Sequence, residues 1–157
     1  MAISGFHHFS LSCSDADRSI AFYREVFGME LIGDRVVEPG GFVARVTGIA
    51  AAHVRIVHLR GHGVNLELLE FLEPRGEPRA FPFQMTGGAH TCFITEDMDE
   101  EVARLEALGV PVRSSEVPVN VVGGPNDGGK GLYVEDPDGI PVEIIQLARP
   151  WPGGKNT

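Results

Sequence analysis

The sequence predicts an α+β protein made of two repeats of a βαβββ unit. Each repeat starts with a strand that carries a histidine, His8 in the first repeat and His90 in the second. An aspartate follows each histidine by seven positions, and a helical stretch then ends at a glycine. Each repeat closes with an alternating strand around a central glutamate, Glu67 or Glu143. These shared features predict two similar units in one chain.

The first repeat contains a strand, a helix and three more strands. Residues 6–13 alternate between apolar and polar side chains, which is typical of a half-buried strand. Ser14 or Asp15 can cap the helix that follows, and Gly28 suits the left-handed position after its last turn. The predicted core side of this helix is Ala16, Ile20, Tyr23 and Phe27. The remaining strands are predicted at residues 29–37, 53–60 and 64–71.

The second repeat follows the same order. Asp97 and Glu100 have the spacing of a capping box at the start of its helix. The predicted core side of that helix is Val102, Leu105 and Leu108. A strand is predicted near residues 110–115. The last two strands, at residues 131–135 and 140–147, form a hairpin joined by a Pro-Asp-Gly turn.

The whole chain, residues 1–157, is predicted to be one domain of this duplicated type. Its middle is rich in proline and glycine and predicts an extended linker rather than a helix or strand. The predicted boundaries are 5–73 for the first module, 74–88 for the linker, 89–148 for the second module and 149–157 for the tail.

The composition is that of a soluble globular protein with an excess of acidic residues. Hydrophobic residues make up 43% and charged residues 22% of the chain. The net charge of −9 argues against a nucleic acid or an anionic membrane as partner, because both require a basic patch. No apolar run is long enough to span a membrane, and the first residues do not have the pattern of a signal peptide. We therefore expect a cytoplasmic protein.

Two cysteines, Cys13 and Cys92, fall within predicted strands. In a cytoplasmic protein we expect buried free thiols, and a single disulfide between them is the alternative.

The repeated histidines and glutamates have the chemistry of a metal site. Glu67 and Glu143 each stand between apolar strand neighbours, where a carboxylate is costly to bury unless it is paired or bound to a metal. With one histidine from each repeat, His8 and His90, they predict four ligands for a single ion. His7 is the alternative to His8, but only His8 shares the seven-residue spacing to an aspartate.

One glycine-rich segment has the spacing of a nucleotide-binding P-loop up to its lysine. It covers residues 124–130, but the next residue is Gly131 rather than the Ser or Thr that would hold Mg²⁺, and a strand is predicted where a helix should begin. We interpret it as a loop, either a flexible one at the mouth of the site or a plain hairpin connection.

Several segments resemble the vicinal oxygen chelate superfamily, which includes glyoxalase I, methylmalonyl-CoA epimerase, extradiol dioxygenases, and fosfomycin- and bleomycin-resistance proteins. The matching segments are residues 7–11, 18–23, 28–31, 66–69, 88–90 and 136–143. The resemblance implies paired βαβββ modules whose sheets curl into a cup with the helices outside, and a homodimer. It also implies that His8, Glu67, His90 and Glu143 are the ligand set of the glyoxalase and epimerase branches.

The activity implied is that of a metal-dependent isomerase or lyase. Two imidazoles and two carboxylates suit Ni²⁺, Co²⁺, Mn²⁺, Fe²⁺ or Zn²⁺ and leave room for two adjacent oxygens of a small substrate. Such an ion would stabilise an enediolate or enolate while a carboxylate removes the α-proton. Glu143 is the preferred base and Glu67 is the alternative, since either ligand can loosen from the ion as substrate binds.

Two departures from the family patterns leave the reaction open. No Asp or Glu lies between Glu38 and Glu67, where methylmalonyl-CoA epimerases carry a further acid. The residues that glyoxalase I uses for glutathione are not identifiable, although four arginines are candidates. They are Arg18, Arg24, Arg55 and Arg60.

Two other activities remain as alternatives. An Fe(II) ring-cleaving dioxygenase would use His8, His90 and Glu143 and would leave Glu67 without a role. The additional acid or base that it needs would come from His53, His58, Tyr23 or Tyr133. A drug- or ligand-binding protein of the same fold is the third possibility, and it ranks last because such proteins lose the ligands that this chain retains.

Overall fold

Each half of the chain folds around its own four-stranded mixed sheet. The computed structural model describes residues 3–77 and 83–150, and the chain divides into two units, Met1–Arg79 and Ala80–Thr157. Each unit combines its sheet with helices in the predicted order of strand, helix and further strands. The predicted α+β class with two βαβββ units is confirmed.

The helices and strands are numbered along the chain. The first unit contains β1 (Phe9–Cys13), α1 (Ala16–Phe27), β2 (Glu30–Val37), α2 (Phe42–Thr47), β3 (His53–Gly61) and β4 (Val64–Glu73). The second unit contains β5 (Thr91–Thr95), α3 (Met98–Leu108), β6 (Val119–Asn120), β7 (Lys130–Glu135) and β8 (Pro141–Gln146).

The two sheets have the same strand order. It is β1-β4-β3-β2 in the first unit and β5-β8-β7-β6 in the second. In each sheet the first strand runs parallel to the last strand, and the other neighbouring strands are antiparallel. Residues that are paired across equivalent strands can therefore be compared directly between the units.

Helix α1 begins and ends where the sequence predicts. The carboxylate of Asp15 accepts a hydrogen bond from the backbone N–H of Arg18 at 3.0 Å and caps the first turn. The helix ends at Gly28, whose φ of +61° is left-handed and whose N–H donates to the carbonyl of Arg24. The four side chains predicted for the core side of α1 are all buried.

Helix α3 is capped by Asp97 as predicted, but its capping box is completed by a different residue. The Asp97 carboxylate accepts hydrogen bonds from the backbone N–H groups of Asp99 and Glu100, at 2.9 and 3.0 Å. The N–H of Asp97 donates to the hydroxyl of Thr95 at 3.3 Å, where a full capping box would use the Glu100 side chain. The prediction that Leu108 faces the core is wrong, because this residue of the last turn is 39% exposed.

The first turns of α1 and α3 receive the same support from the last strand of their sheets. The N–H of Ala16 donates to the carboxylate of Glu70 at 3.3 Å, and the N–H of Met98 donates to the side-chain oxygen of Gln146 at 3.0 Å. Glu70 and Gln146 are equivalent, since each is paired with the last residue of the first strand of its unit. Each satisfies an N–H group that a helix leaves without an internal partner.

An ion pair also joins each helix start to its sheet. Arg55 on β3 lies 2.7 Å from Asp17 in the first turn of α1, and Lys130 on β7 lies 2.7 Å from Asp99 in the first turn of α3. Arg55 also donates two hydrogen bonds to the carboxylate of Asp34, at 3.0 and 2.8 Å, which lower the pKa of that carboxyl group. The repeat is therefore visible in polar contacts that the sequence analysis did not identify.

The second sheet has a shorter outer edge than the sequence predicts. The strand expected near residues 110–115 is reduced to one bridge between Val112 and Val134. The edge strand is instead β6, which has two residues and pairs with the start of β7. So short an element carries too little periodic pattern to be recognised from the sequence.

Helix α2 occupies a part of the first unit where no element was predicted. Its six residues include two valines and a threonine, which are weak helix formers. The helix is stabilised by packing, because Val43 and Ala44 belong to a buried cluster with residues of β3. Local propensity alone therefore could not predict it.

The glycine-rich segment before β7 is a loop and not a P-loop. The side chain of Asn126 accepts a hydrogen bond from the N–H of Ala148 at 3.0 Å and donates one to the carbonyl of Gln146 at 3.4 Å. Strand β7 then begins at Lys130, where a P-loop needs the N-terminus of a helix. The segment connects two strands and is fixed to the end of β8.

Residues 78–82 of the predicted linker and 151–157 of the predicted tail lie outside the described residues. The boundaries proposed for the modules, linker and tail stay a prediction. Among the helices of the described residues, none is both long enough and apolar enough to cross a membrane.

Replacing Gly28 with alanine tests how far α1 depends on its left-handed end. A side chain at a φ of +61° is strained, so we expect the free energy of unfolding to fall by about 1–2 kcal/mol. Urea denaturation measures this change. Gly76→Ala is the matched control, because Gly76 has open space around it and no left-handed φ. Equal stability of the two variants would contradict the role assigned to Gly28.

Candidate metal and substrate site

His8 and Glu67 meet in the first unit because β1 and β4 run parallel in a fixed register. This register sets Ser10 opposite Glu67, and His8 lies just before β1 on the same side of the strand as Ser10. His8 Nε2 is 3.4 Å from Glu67 Oε1. The imidazole and the carboxylate thus meet on one face of the sheet.

The same arrangement recurs in the second unit. The parallel register of β5 and β8 sets Cys92 opposite Glu143, and His90 lies just before β5. His90 Nε2 is 3.1 Å from Glu143 Oε2. Each unit therefore places one imidazole nitrogen beside one carboxylate oxygen at equivalent positions of its sheet.

Both glutamates are more enclosed than an ordinary surface carboxylate. The side chain of Glu67 is 15% exposed and that of Glu143 is 25% exposed. The strand neighbours of both glutamates are buried on the opposite face of their sheets: Leu66, Leu68, Val142 and Ile144. A charged group with this little solvent requires a partner, and each glutamate has one in its histidine.

Each glutamate also has a neighbour on the adjacent strand. His58 on β3 is paired with Glu67, and His58 Nε2 lies 3.1 Å from Glu67 Oε2. Tyr133 on β7 is paired with Glu143, and its hydroxyl lies 3.5 Å from His90 Nε2. Two of the four additional groups considered for a dioxygenase therefore lie beside the candidate ligands.

The other two groups considered for that role have different surroundings. Tyr23 is fully buried in the core of the first unit. His53 Nε2 lies 3.7 Å from the carboxylate of Glu38. Neither position resembles those of His58 and Tyr133.

Three of the four arginines that the sequence offered for glutathione have structural partners. Arg55 binds Asp17 in the first turn of α1 and Asp34 on β2, as described above. Arg60 donates a hydrogen bond to the side chain of Asn65 at 3.0 Å, and Arg18 donates one to the hydroxyl of Ser14 at 3.0 Å.

His7 contacts the ring of His8. The two Nδ1 atoms are 2.7 Å apart, and the ring planes are nearly perpendicular, at 84°. The Nδ1 atom of His8 is on the opposite side of its ring from Nε2, the nitrogen that faces Glu67. The structure thus gives the two neighbouring histidines different surroundings.

Two polar groups beside Glu143 are held in their neutral forms. The pKa of the Tyr133 hydroxyl is raised above its usual value by burial, and further by a hydrogen bond to Glu143 and by its charge. Although Cys92 as a residue is exposed, partial desolvation of its thiol raises the pKa to about 12, with the charge of Glu143 and a hydrogen bond to it as further causes. The prediction of two buried thiols is half wrong: both cysteines are free, but Cys92 is exposed on the His90 side of β5.

The two pairs fit a divalent metal ion in their chemistry. Imidazole nitrogen and carboxylate oxygen are accepted ligands of Ni²⁺, Co²⁺, Mn²⁺, Fe²⁺ and Zn²⁺. Within either unit, residues 3–77 or 83–150, no cluster of three or more His, Cys, Asp or Glu side chains is arranged to hold a metal ion. A single unit therefore offers only part of a ligand set, and the four-ligand site stays a prediction.

Comparison with known proteins extends over nearly the whole chain. The model of the Glyoxalase/Bleomycin resistance protein/Dioxygenase superfamily matches residues 5–144. The chain is 33% identical over 146 residues to a 2-epi-5-epi-valiolone epimerase from Actinomyces sp., covering 90% of this chain and 78% of the relative. It is 30% identical over 161 residues to the lactoylglutathione lyase of Pseudomonas aeruginosa, covering 91% and 82%.

The fold also has close counterparts among solved structures. A glyoxalase family protein from Bacillus cereus superimposes with a TM-score of 0.75 at 26% sequence identity, covering 94% of this chain and 98% of that one.

Alkylation of Cys92 tests the environment of Glu143. A thiol with a pKa of about 12 has about three orders of magnitude less thiolate at pH 8 than free cysteine, so we expect iodoacetamide to react very slowly despite the exposure of the residue. Mass spectrometry of chelator-treated protein, peptide by peptide, measures the rate at Cys92 separately from Cys13. Glu143→Gln removes the negative charge and should accelerate the reaction. A rate like that of free cysteine in the unmodified chain would contradict this prediction.

Proposed function

Because the chain belongs to the glyoxalase/bleomycin resistance protein/dioxygenase superfamily, we propose that it is a divalent-metal-dependent isomerase or lyase. Its substrate is a small molecule with two adjacent oxygens, and the reaction passes through an enolate or enediolate. Members of this superfamily usually bind a metal ion and small molecules. The epimerase and the lyase among the relatives support an activity of this kind.

The repeated contact between an imidazole and a carboxylate carries this proposal. Other equivalent positions around the pairs have changed between the units: Ser10 corresponds to Cys92, and His58 corresponds to Tyr133. The histidine and the glutamate are the same in both units. We therefore propose that His8, Glu67, His90 and Glu143 bind one divalent ion per chain.

The four side chains would hold the ion and neutralise its charge. Each histidine presents Nε2 toward a carboxylate, and the two carboxylates balance the two positive charges of the ion. When bound, the ion supplies Lewis-acid stabilisation of the negative charge that develops on a substrate oxygen.

Proton transfer is the chemical step that the chain itself performs. A glutamate oxygen takes the proton from the carbon next to the substrate carbonyl, and the C–H electron pair moves into the carbonyl group to form the enolate. Return of the proton to the other face, or to the neighbouring carbon, gives the isomer without a change in oxidation state. We favour Glu143 as the base over Glu67, because its side chain is the more exposed of the two.

We further propose that the protein works as a cytoplasmic homodimer. This rests on its composition and on its superfamily, and light scattering of the purified protein tests the dimer. One molar mass near twice 17.0 kDa is expected.

Loss of metal from glutamate variants tests the ligand set. We expect the purified protein to hold one divalent ion per chain, and Glu67→Ala and Glu143→Ala to reduce this content to a similar extent. Elemental analysis after dialysis gives the stoichiometry. Glu73→Ala is the matched control, since Glu73 lies on the same strand as Glu67 but at its exposed end, and it should keep the metal.

Other results of the same experiment would change the assignment. If Glu67→Ala keeps full metal content and activity, the site has three ligands, and a ring-cleaving dioxygenase becomes the better proposal. Oxygen uptake with catechol would support that outcome. A protein that is free of metal after every preparation and still binds a drug tightly would support the ligand-binding alternative.

Exchange of the substrate's α-hydrogen identifies the base. Glu143→Gln keeps the size and one coordinating oxygen but removes most of the basicity, so we expect exchange to fall by about 10²-fold or more while metal binding is kept. Proton NMR in D₂O, with 2-epi-5-epi-valiolone or the methylglyoxal–glutathione adduct as substrate, measures the rate. Glu67→Gln is the comparison variant. Unchanged exchange in Glu143→Gln together with loss in Glu67→Gln would reverse the assignment.

A further inference from the structure

Two histidines outside the proposed ligand set lie against that set in the first unit. His7 Nδ1 is 2.7 Å from His8 Nδ1, and His58 Nε2 is 3.1 Å from Glu67 Oε2. Both contacts are within hydrogen-bond distance. Each therefore links a proposed ligand to a side chain that is not itself a proposed ligand.

If His8 binds the ion through Nε2, its contact with His7 gives its remaining proton an acceptor. A histidine that binds a metal through Nε2 must have that nitrogen free of hydrogen, so its single proton is on Nδ1. His8 Nε2 is the nitrogen that faces Glu67. His8 Nδ1–H then donates to His7 Nδ1, and the proton of His7 is on its own Nε2. His7 thereby fixes both the tautomer and the ring orientation of His8.

Because of His58, the two carboxylate oxygens of Glu67 have different neighbours. Oε2 lies 3.1 Å from His58 Nε2, which donates a hydrogen bond when that nitrogen carries its proton, and Oε1 lies 3.4 Å from His8 Nε2. A carboxylate that is held at one oxygen by a donor has the other oxygen directed toward the ion. The side chain of His58 is 27% exposed, so this hydrogen bond is partly shielded from water.

The second unit has different residues at these two positions. Ala89 precedes His90, where His7 precedes His8, and an alanine side chain has no hydrogen-bonding atom. Tyr133 is opposite Glu143, where His58 is opposite Glu67. The supports of the two ligand pairs are therefore unequal, although the ligands are the same.

We propose that His7 and His58 are positioning residues that hold His8 and Glu67 in the geometry that binds the metal. This rests on the proposed metal site. Beyond that site, we propose that two side chains that never touch the ion orient His8 and Glu67. The second unit has neither of these two histidines.

Metal affinity of histidine variants tests the proposal. His7→Phe and His58→Phe keep a ring but remove the hydrogen bonds, and each should weaken the affinity for Zn²⁺ by about 10- to 100-fold in competition with a chelator. His7→Asn restores an acceptor near Nδ1 and His58→Gln restores a donor near Nε2, so both should recover most of the affinity. His53→Phe is the control, because His53 is on the same strand as His58 and lies beside Glu38 instead.

The tautomers of the wild-type protein provide a second measurement that needs no variant. Long-range proton–nitrogen NMR of the Zn²⁺-loaded protein should show the proton of His8 on Nδ1 and that of His7 on Nε2. A proton on His7 Nδ1 would overturn the role proposed for His7 even if the phenylalanine variants fail to fold, because two N–H groups cannot hydrogen-bond to each other.

The outcomes separate this inference from the proposed function. If the wild-type protein binds no divalent ion, the proposed function fails and the positioning role fails with it. If the wild type binds Zn²⁺ and Glu67→Ala does not, but His7→Phe and His58→Phe bind with wild-type affinity, only the positioning role is wrong.

Discussion

In each unit the first strand pairs in parallel with the last strand, and this alignment fixes where the candidate ligands lie. Side chains alternate across a strand, so a slip of one residue would move a whole set of them to the other face. The observed register brings Glu67 beside His8 and Glu143 beside His90. The same register brings a side-chain oxygen of β4 or β8 to the first N–H of the neighbouring helix. Ligand placement and helix capping thus depend on one backbone alignment.

Much of the fold could be predicted because its signals are local. Asp15 and Asp97 cap the two long helices as expected, and Gly28 and Gly109 end them in the left-handed conformation. The elements that were missed depend on contacts with distant residues. Helix α2 forms because two of its side chains complete a buried cluster, and β6 exists only as a short partner of β7.

The four candidate ligands could be identified from the sequence because each repeat has a histidine and a glutamate at matching positions. Their neighbours could not be assigned, because the turns within the two halves differ in length. Residues 62–63 separate β3 from β4, whereas residues 136–140 separate β7 from β8. His58 is therefore nine positions before Glu67, and Tyr133 is ten positions before Glu143. Residues at equivalent positions in the two sheets are therefore not at equal distances along the sequence. Only the strand pairing in the structure shows that His58 and Tyr133 are equivalent.

The outer edges of the two sheets differ in length, and this affects how the protein can change during evolution. Strand β2 has eight residues, whereas β6 has two. Two residue pairs join β6 to β7, so insertions between residues 115 and 118, just before β6, disturb the pairing of β7 with β8 little. Insertions into the edge of the first sheet would be more disruptive, because β2 is paired along most of β3. Strand β2 also carries Asp34, which binds Arg55. Insertions and deletions are therefore expected to be tolerated more readily at the edge of the second sheet than at the edge of the first.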